Sequence, residues 1–231
     1  MKKPNFVNNT IYHIYNRGVE KRNIFGDGKD HLRFIHDLFE FNDVRPAFNF
    51  NYYLNKQSIE VEPRYIKKPR KLLVEILAFC LMPNHYHLLL RQRLENGIIA
   101  FMQKFGTGYT MYFNQKYNRV GSLFQGRFKA VLVNQNSHLL YLPHYIHLNP
   151  LDLVMPDWRE KEIKNYQKAI KFLENYRWSS FPDYIGIKNF PSVTQRGLIL
   201  ELFDGQKEYK NAIEHYLKEL ELETIENLIL E

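Results

Sequence analysis

The sequence predicts an α+β fold: an antiparallel sheet laid down as strand, helix, strand, strand, helix, strand (βαββαβ), with helices on one face and a C-terminal helical appendage. Three observations carry that expectation. Residues 10–17 alternate in the manner of a half-buried strand, and the apolar run 72–82 is followed at once by a partner run, 85–92. Residues 95–117 repeat apolar side chains at helical spacing. Beyond residue 151 the chain turns helical and acidic. At about 100–200 residues per domain, the 231 residues divide into a main domain over 1–154, with an extended loop at 42–70, and a helical extension over 155–231.

Taken in order, TIYHIYNR (10–17) is a β-rich alternating strand, closed by the turn chemistry of Asn16, Arg17 and Gly18. Asp27 to Phe41 spaces Leu32, Ile35, Leu38 and Phe39 as an amphipathic helix. Residues 42–70 hold Pro46, Pro63 and Pro69 without a period and end in the basic stretch RYIKKPRK (64–71). Leu72 to Met82 reads as a buried strand, Met82-Pro83-Asn84 as a turn, and HYHLLLRQ (85–92) as the partner strand. In the helix from Glu95 to Tyr117, Ile98, Ile99, Met102, Phe105 and Tyr109 share a side, while Gly106 and Gly108 weaken it by about 1 kcal/mol each against alanine. Gly126 to Asn134 is a strand; Ser137 then caps a helix to Leu148, with a kink or restart at Pro143 and a stop at Asn149-Pro150. This order resembles the ferredoxin-like split βαβ. Trp158 to Tyr176 is predicted helical, RWSSFPDYIG (177–186) a loop with aromatic anchors, and Thr194 to Leu230 two or three amphipathic helices.

Composition narrows the class. Lys and Arg number 32 against 25 Asp and Glu, giving +7 overall. Divided along the chain, residues 1–60 carry +2, 61–150 carry +9 and 151–231 carry −4. A basic middle third with interleaved aromatics suits a phosphate backbone with stacked bases. The longest apolar stretch, Leu72 to Met82, is interrupted by Glu75 and falls short of the roughly 18–20 residues of a membrane span. MKKPNFVNNT has no apolar core of a secretory signal, and a lone cysteine, Cys80, permits neither an internal disulfide nor a multi-cysteine zinc site. The expectation is a cytoplasmic protein.

Two motifs carry chemistry. In a strand, residues i and i+2 share a face, so His85 and His87 converge while Tyr86 points away. Two neutral imidazoles hold a divalent ion without cancelling its charge; the alternative is a pair of histidines hydrogen-bonded to neighbours. In HYIHLNP (144–150), Tyr145 and Asn149 sit at i and i+4 on one helix face. A phenol is a nucleophile for phosphorus and an amide oxygen is an acceptable ligand for Mg2+ or Mn2+, although packing and helix capping explain both residues in isolation. His147 faces away from Tyr145, consistent with packing.

Together MPNHYHLLL (82–90), GSLFQGRFKAVLV (121–133) and YIHLNP (145–150), with YHIYNRG (12–18) before them and YRWSSFPDYIG (176–186) after, resemble the HUH single-tyrosine transposases, most of all the REP-associated tyrosine transposases. The resemblance implies that His85, His87 and Asn149 are metal ligands for Mg2+ or Mn2+ and that Tyr145 is the nucleophile. It implies a DNA transposase: a site-specific nicking and joining enzyme for hairpin-bearing single-stranded DNA, working through a 5′-phosphotyrosine at the nucleoid, as monomer or homodimer. Two departures stand out. Compact insertion-sequence relatives carry Gln where this chain has Asn149, and Pro143 lies two residues before the nucleophile. Tyr141, four residues earlier, is the second candidate.

On the substrate side, Arg127 and Lys129 alternate on the last strand and Arg17 follows the first, so all three are candidates for phosphate contacts. Phe124, in the glycine-flanked GSLFQG (121–126), is a candidate for base stacking, and Lys67, Lys68 and Arg70 for tracking a backbone. The rival reading is a domesticated, non-cleaving nucleic-acid-binding regulator of repetitive palindromic elements. A hydrolytic zinc enzyme is weaker, because no third His or acidic ligand is evident at suitable spacing.

Overall fold

The computed structural model describes residues 4–46, 69–159, 163 and 165–218. Four strands, β1 (Ile11–Arg17), β2 (Val74–Met82), β3 (His85–Gln92) and β4 (Lys129–Val133), form one antiparallel sheet in the order β2-β3-β1-β4. That is the ferredoxin-like order the sequence predicts. Helix α1 (Gly28–Glu40) connects β1 to the described residues before β2, and α2 (Gly97–Lys116) connects β3 to β4. Both cover the same face, where Phe34, Leu38, Phe101, Phe105 and Tyr109 meet Tyr12, Ile14, Phe79, Tyr86 and Leu88.

Local chemistry sets these elements. Asp27 caps α1, its carboxylate accepting from the Asp30 amide at 3.0 Å while Asp30 reaches back to the Asp27 amide. Leu32, read as part of the apolar stripe, is 44% exposed, and Phe34 takes the buried place. Gly108 weakens α2 as a helix but permits close packing: a Cβ there would lie 2.5 Å from the Phe41 ring. Asn42 binds the start of β2 three ways, donating to the Val74 carbonyl at 2.9 Å and accepting from the Leu73 and Val74 amides.

The second face of the sheet is covered by α3 (Asn136–Leu148), a 3-10 turn (Asn149–Leu153), α4 (Tyr166–Asn175), α5 (Phe181–Tyr184), α6 (Gly197–Leu202) and α7 (Gln206–Lys218). Leu142, Ile146, Leu173, Phe181, Ile199 and Ile213 form one cluster with Leu77, Cys80 and Leu89 of the sheet. The near-continuous apolar run of β2 follows from burial on both faces. The two core helices keep to one face, as predicted, while the helices after residue 136 form the layer opposite.

Three boundaries differ from the sequence reading. The strand predicted from Gly126 begins at Lys129, because Gly126, at φ 76°, turns the chain so that its carbonyl accepts from Asn16 Nδ2 at 3.1 Å. The helix expected from Ser137 starts at Asn136 and runs through Pro143 unbroken, so Ser137 lies inside it. Of the helix expected over Trp158 to Tyr176, the described residues form Tyr166–Asn175, and Trp158 lies in a turn before it.

The WSS element, read as a loop, pairs with an edge. Strand β2 is terminal in the sheet, and its outer backbone is taken up by residues 178–195. The Leu81 amide donates to the Trp178 carbonyl at 2.9 Å, the Ser180 amide to the Phe79 carbonyl at 3.0 Å, and the Gln195 amide to the Ile76 carbonyl at 2.9 Å. Beside the irregularity between Ile76 and Ala78, Tyr184 Oη donates to the Leu77 carbonyl at 2.6 Å. A strand edge that would otherwise template pairing is thereby closed. Among the described residues no helix is long and apolar enough to cross a membrane.

Candidate active site

Strand pairing assembles the site. Partners directly opposite in an antiparallel pair share a face, so Tyr15 beside His87, Arg17 beside His85 and Lys129 beside Tyr15 all look toward α3. Tyr86, between the histidines, is buried in the opposite core, as period two requires. The His85 and His87 rings lie 5.0 Å apart and nearly perpendicular.

Each histidine has a partner that orients it. His85 Nδ1 lies 2.6 Å from Asn84 Oδ1, which only accepts, so the proton sits on Nδ1 and the lone pair on Nε2. His87 Nδ1 lies 2.9 Å from His13 Nε2, and the two rings stack 5.1 Å apart. His87 Nε2 is buried with no hydrogen-bond partner. Burial pushes His13 down to about 4. Burial, aided by the neighbouring His13, His85 and Arg159 charges, holds His87 well below the ordinary imidazole value. Both rings are therefore neutral near pH 7, the state in which an imidazole binds a metal. With the His87 proton on Nδ1 donating to His13, Nε2 presents a lone pair. This orphaned nitrogen fits a divalent ion. Cys80, opposite His87 on β2, packs in the cluster beneath α3, where burial pushes its thiol up.

Tyr145 comes from α3 and packs its ring edge-on against His87 at 5.6 Å and His13 at 6.0 Å. Tyr141 lies one turn away, its ring 6.1 Å from that of Tyr145, and burial pushes its phenol up. The Arg159 guanidinium sits 5.8 Å from the Tyr145 ring centre, held by Asp152 at 2.6 Å, and its Nε is buried without a partner. Asn149 turns its amide to its own helix, Nδ2 donating to the Tyr145 carbonyl at 2.7 Å. His147 faces away, between Tyr209 Oη at 2.6 Å and Ser180 Oγ at 2.7 Å.

The basic candidates separate. Arg17 and Lys129 line a cleft of about 240 Å3 with Lys21, Asn84 and His85, and Arg17 Nε donates to Gln125 at 2.6 Å. Arg127 precedes β4 and lines a different cavity, against α2, so it does not share a face with Lys129. Phe124 is a core residue, 8% exposed, with its ring edge-on to Tyr86 at 5.7 Å; burial leaves little of it for stacking. Arg70 is committed to the end of α1, donating to the Phe39 and Asn42 carbonyls and lying over the Phe39 ring, so it clips the loop's end instead of tracking a backbone. Lys67 and Lys68 lie outside the described residues. Four contributors were absent from the sequence reading: His13, Asn84, Lys21 and Arg159. Period two from Tyr15 would have placed His13 on the right face once the β1–β3 register was known. Nothing local marks Arg159.

Residues 53–149 match the family model of the IS200-like transposases, a stretch that takes in His85, His87, Tyr145 and Asn149. His13, Arg17 and Arg159 lie outside the matched residues, so the matched segment shares its candidate site with β1 and with the chain after α3. None of the curated proteins matches the chain. Among solved structures, that of a REP-associated tyrosine transposase bound to a REP hairpin aligns with a TM-score of 0.47 at 12% identity, over 82% of this chain and 88% of that one.

Proposed function

We propose that the chain is a DNA transposase that nicks and rejoins hairpin-bearing single-stranded DNA, with Tyr145 as nucleophile. The observation that carries this reading is the placement of the Tyr145 ring against the His87–His13 pair, on the face where His85 opens into the cleft of Arg17, Lys21 and Lys129.

The cations of the cleft would neutralise the entering backbone and hold the scissile phosphate near His85. Tyr145 Oη attacks phosphorus as the P–O3′ bond breaks. The phenolic proton is lost, the leaving oxygen takes up a proton, and the products are a 5′-phosphotyrosine and a free 3′-OH. Arg159, over the Tyr145 ring, favours negative charge developing on the phenol oxygen. The phosphodiester bond is conserved in the tyrosyl link, so a 3′-OH reverses the step without ATP. His85 and His87 would hold Mg2+ or Mn2+ through their Nε2 atoms, with Asn149 contributing Oδ1 because its nitrogen is committed. Such an ion, when bound, supplies Lewis-acid polarisation of the phosphate.

The test is a denaturing gel of purified protein incubated with a hairpin-containing single strand and Mg2+ or Mn2+. A covalent adduct is expected with the wild type and none with Tyr145→Phe. His85→Ala or His87→Ala should abolish cleavage while leaving hairpin affinity within about threefold. An adduct that survives Tyr145→Phe would move the nucleophile to Tyr141. Tight hairpin binding with no cleavage under either ion would favour the non-cleaving regulator.

A further inference from the structure

Asn84, in the turn between β2 and β3, meets two groups of different kinds. Its Oδ1 lies 2.6 Å from His85 Nδ1, and its Nδ2 donates to the Lys21 carbonyl at 3.2 Å. An amide can turn either end toward a neighbour, and a neutral imidazole can carry its proton on either nitrogen, so this pair alone leaves two arrangements open. The Lys21 carbonyl closes one of them, because it only accepts. With Nδ2 drawn to that carbonyl, oxygen faces His85, the proton sits on Nδ1, and Nε2 keeps the lone pair. With the amide reversed, nitrogen would donate to Nδ1 and the proton would pass to Nε2, where it blocks a metal.

We propose that the turn 18–22 is a positioning device for His85: the Lys21 carbonyl selects the amide orientation of Asn84 and, through it, the imidazole tautomer able to bind a metal. The inference rests on the reading of His85 as a ligand, and the form of the turn supports it. Glu20 and Lys21 both sit in the left-handed region, at φ 55° and 58°. That conformation is unfavourable for residues with a Cβ and persists only where neighbouring structure holds it. Here the hold comes from the chain around the site. The Gly18 amide donates to the Asn84 carbonyl at 2.8 Å, the Ile24 amide to the Pro83 carbonyl at 2.9 Å and the Val19 amide to the Leu123 carbonyl at 2.9 Å. Gly18 lets the turn close this tightly, since a Cβ there would lie 2.2 Å from the Arg22 carbonyl oxygen. Lys21 thus serves two partners: its carbonyl faces Asn84, and the residue lines the basic cleft. Glycine would suit its backbone better but would bring no cation to the cleft.

The test reads the tautomer itself, in the full chain without metal or DNA. Long-range 1H–15N spectra of protein labelled at histidine, taken at about pH 8, above the ordinary imidazole pKa, distinguish a protonated from an unprotonated ring nitrogen. His85→Gln identifies the His85 signals. The wild type should carry the proton on Nδ1. Asn84→Leu, similar in size but with neither donor nor acceptor, should give a mixture of tautomers and weaken Mn2+ binding, read by calorimetry, about tenfold or more. Gly18→Ala, which forces the turn open, should shift the tautomer in the same direction. In an Asn84→Asp background Gly18→Ala should no longer matter, because a carboxylate accepts through either oxygen and needs no carbonyl to orient it. Lys21→Gly, which keeps the carbonyl and suits the positive φ, should leave the tautomer unchanged while weakening hairpin affinity several-fold. A wild-type His85 protonated on Nε2, or an Nδ1 proton that survives Asn84→Leu undiminished, overturns the proposal. So does an equal effect of Gly18→Ala with and without Asn84→Asp, the sign of a role in folding alone. Should Gly18→Ala fail to fold, the contrast between Asn84→Leu and Asn84→Asp carries the test, since only the second should keep the proton on Nδ1. If Asn84→Leu shifts the tautomer but leaves Mn2+ affinity as it was, control by the turn stands and the reading of His85 as a ligand fails.

Discussion

His13 and Arg159 pack directly against the proposed ligand His87 and the proposed nucleophile Tyr145. His13 Nε2 lies 2.9 Å from His87 Nδ1, and as the acceptor there it would leave the His87 lone pair on Nε2. Outer partners of this kind typically contribute 10–100-fold to metal affinity. His13→Phe should therefore weaken Mn2+ binding by about tenfold or more, read by calorimetry without DNA, while His13→Gln, which restores an acceptor, recovers part of it. Equal Mn2+ affinity in wild type and His13→Phe would refute the role. Arg159→Ala should slow adduct formation by about 10²-fold with hairpin affinity little changed, and Arg159→Lys should fall between. At this scale the sequence was legible where the geometry is local. His85 and His87 are two apart in one strand, and the fold brings Tyr145 to them. His13 needed the β1–β3 register, and Arg159 needed the turn after α3. Phe124 and Arg70 were misread for the same reason, since burial of Phe124 and the carbonyls that hold Arg70 are supplied by distant chain.

Among the elements, the segment 178–180 is the informative one. Its residues do not alternate, so it reads as a loop, yet it lies along β2 as a short extra strand, with Cys80 bridged to Ser179. Ser180 Oγ accepts from the Phe79 amide at 2.9 Å and meets His147 Nε2 at 2.7 Å, tying the sheet edge to the helix that carries Tyr145. Ser180→Ala leaves both groups buried and unpaired. At about 1–3 kcal/mol for each such group, the variant should lose about 2–6 kcal/mol in urea unfolding, and it should aggregate more readily because the edge loosens. A loss below 0.5 kcal/mol would mean that the edge is held by backbone pairing alone. Strands and long helices were readable because their periods are strong. Their ends were not, because Gly126 and Trp158 answer to hydrogen bonds made elsewhere, with Asn16 and with Asp152.

At the scale of the molecule, the layer built from α3 to α7 buries titratable groups that the candidate site does not use. Burial pushes His144 down to about 4 and holds His147 well below its ordinary value. The unfolded chain binds these protons near 6.5, so between about pH 6.5 and pH 4 it takes up protons the native state refuses. Stability is then full above pH 6.5 and falls as the pH drops through that window, with His144 alone accounting for about 3 kcal/mol. Thermal unfolding from pH 7.5 to 4 should show a steady decline in midpoint, and His144→Phe should flatten it. A midpoint that stays level down to pH 5 would contradict this account. The charge division along the chain, read from sequence alone as +2, +9 and −4, is matched only in part by the site: Lys129 comes from the +9 segment, but Arg17 and Lys21 come from the first and Arg159 from the acidic last.

The bond between His147 and Tyr209 has a consequence in time. Synthesis runs from the N-terminus at about 5–20 residues per second, so the sheet and both of its core helices leave the ribosome well before α7 exists. Until Tyr209, Ile213 and Leu217 emerge, the helix bearing Tyr145 lacks the far side of its seat. The nascent chain thus holds its histidines on a finished strand while Tyr145 waits for the last helix described to complete the seat of α3.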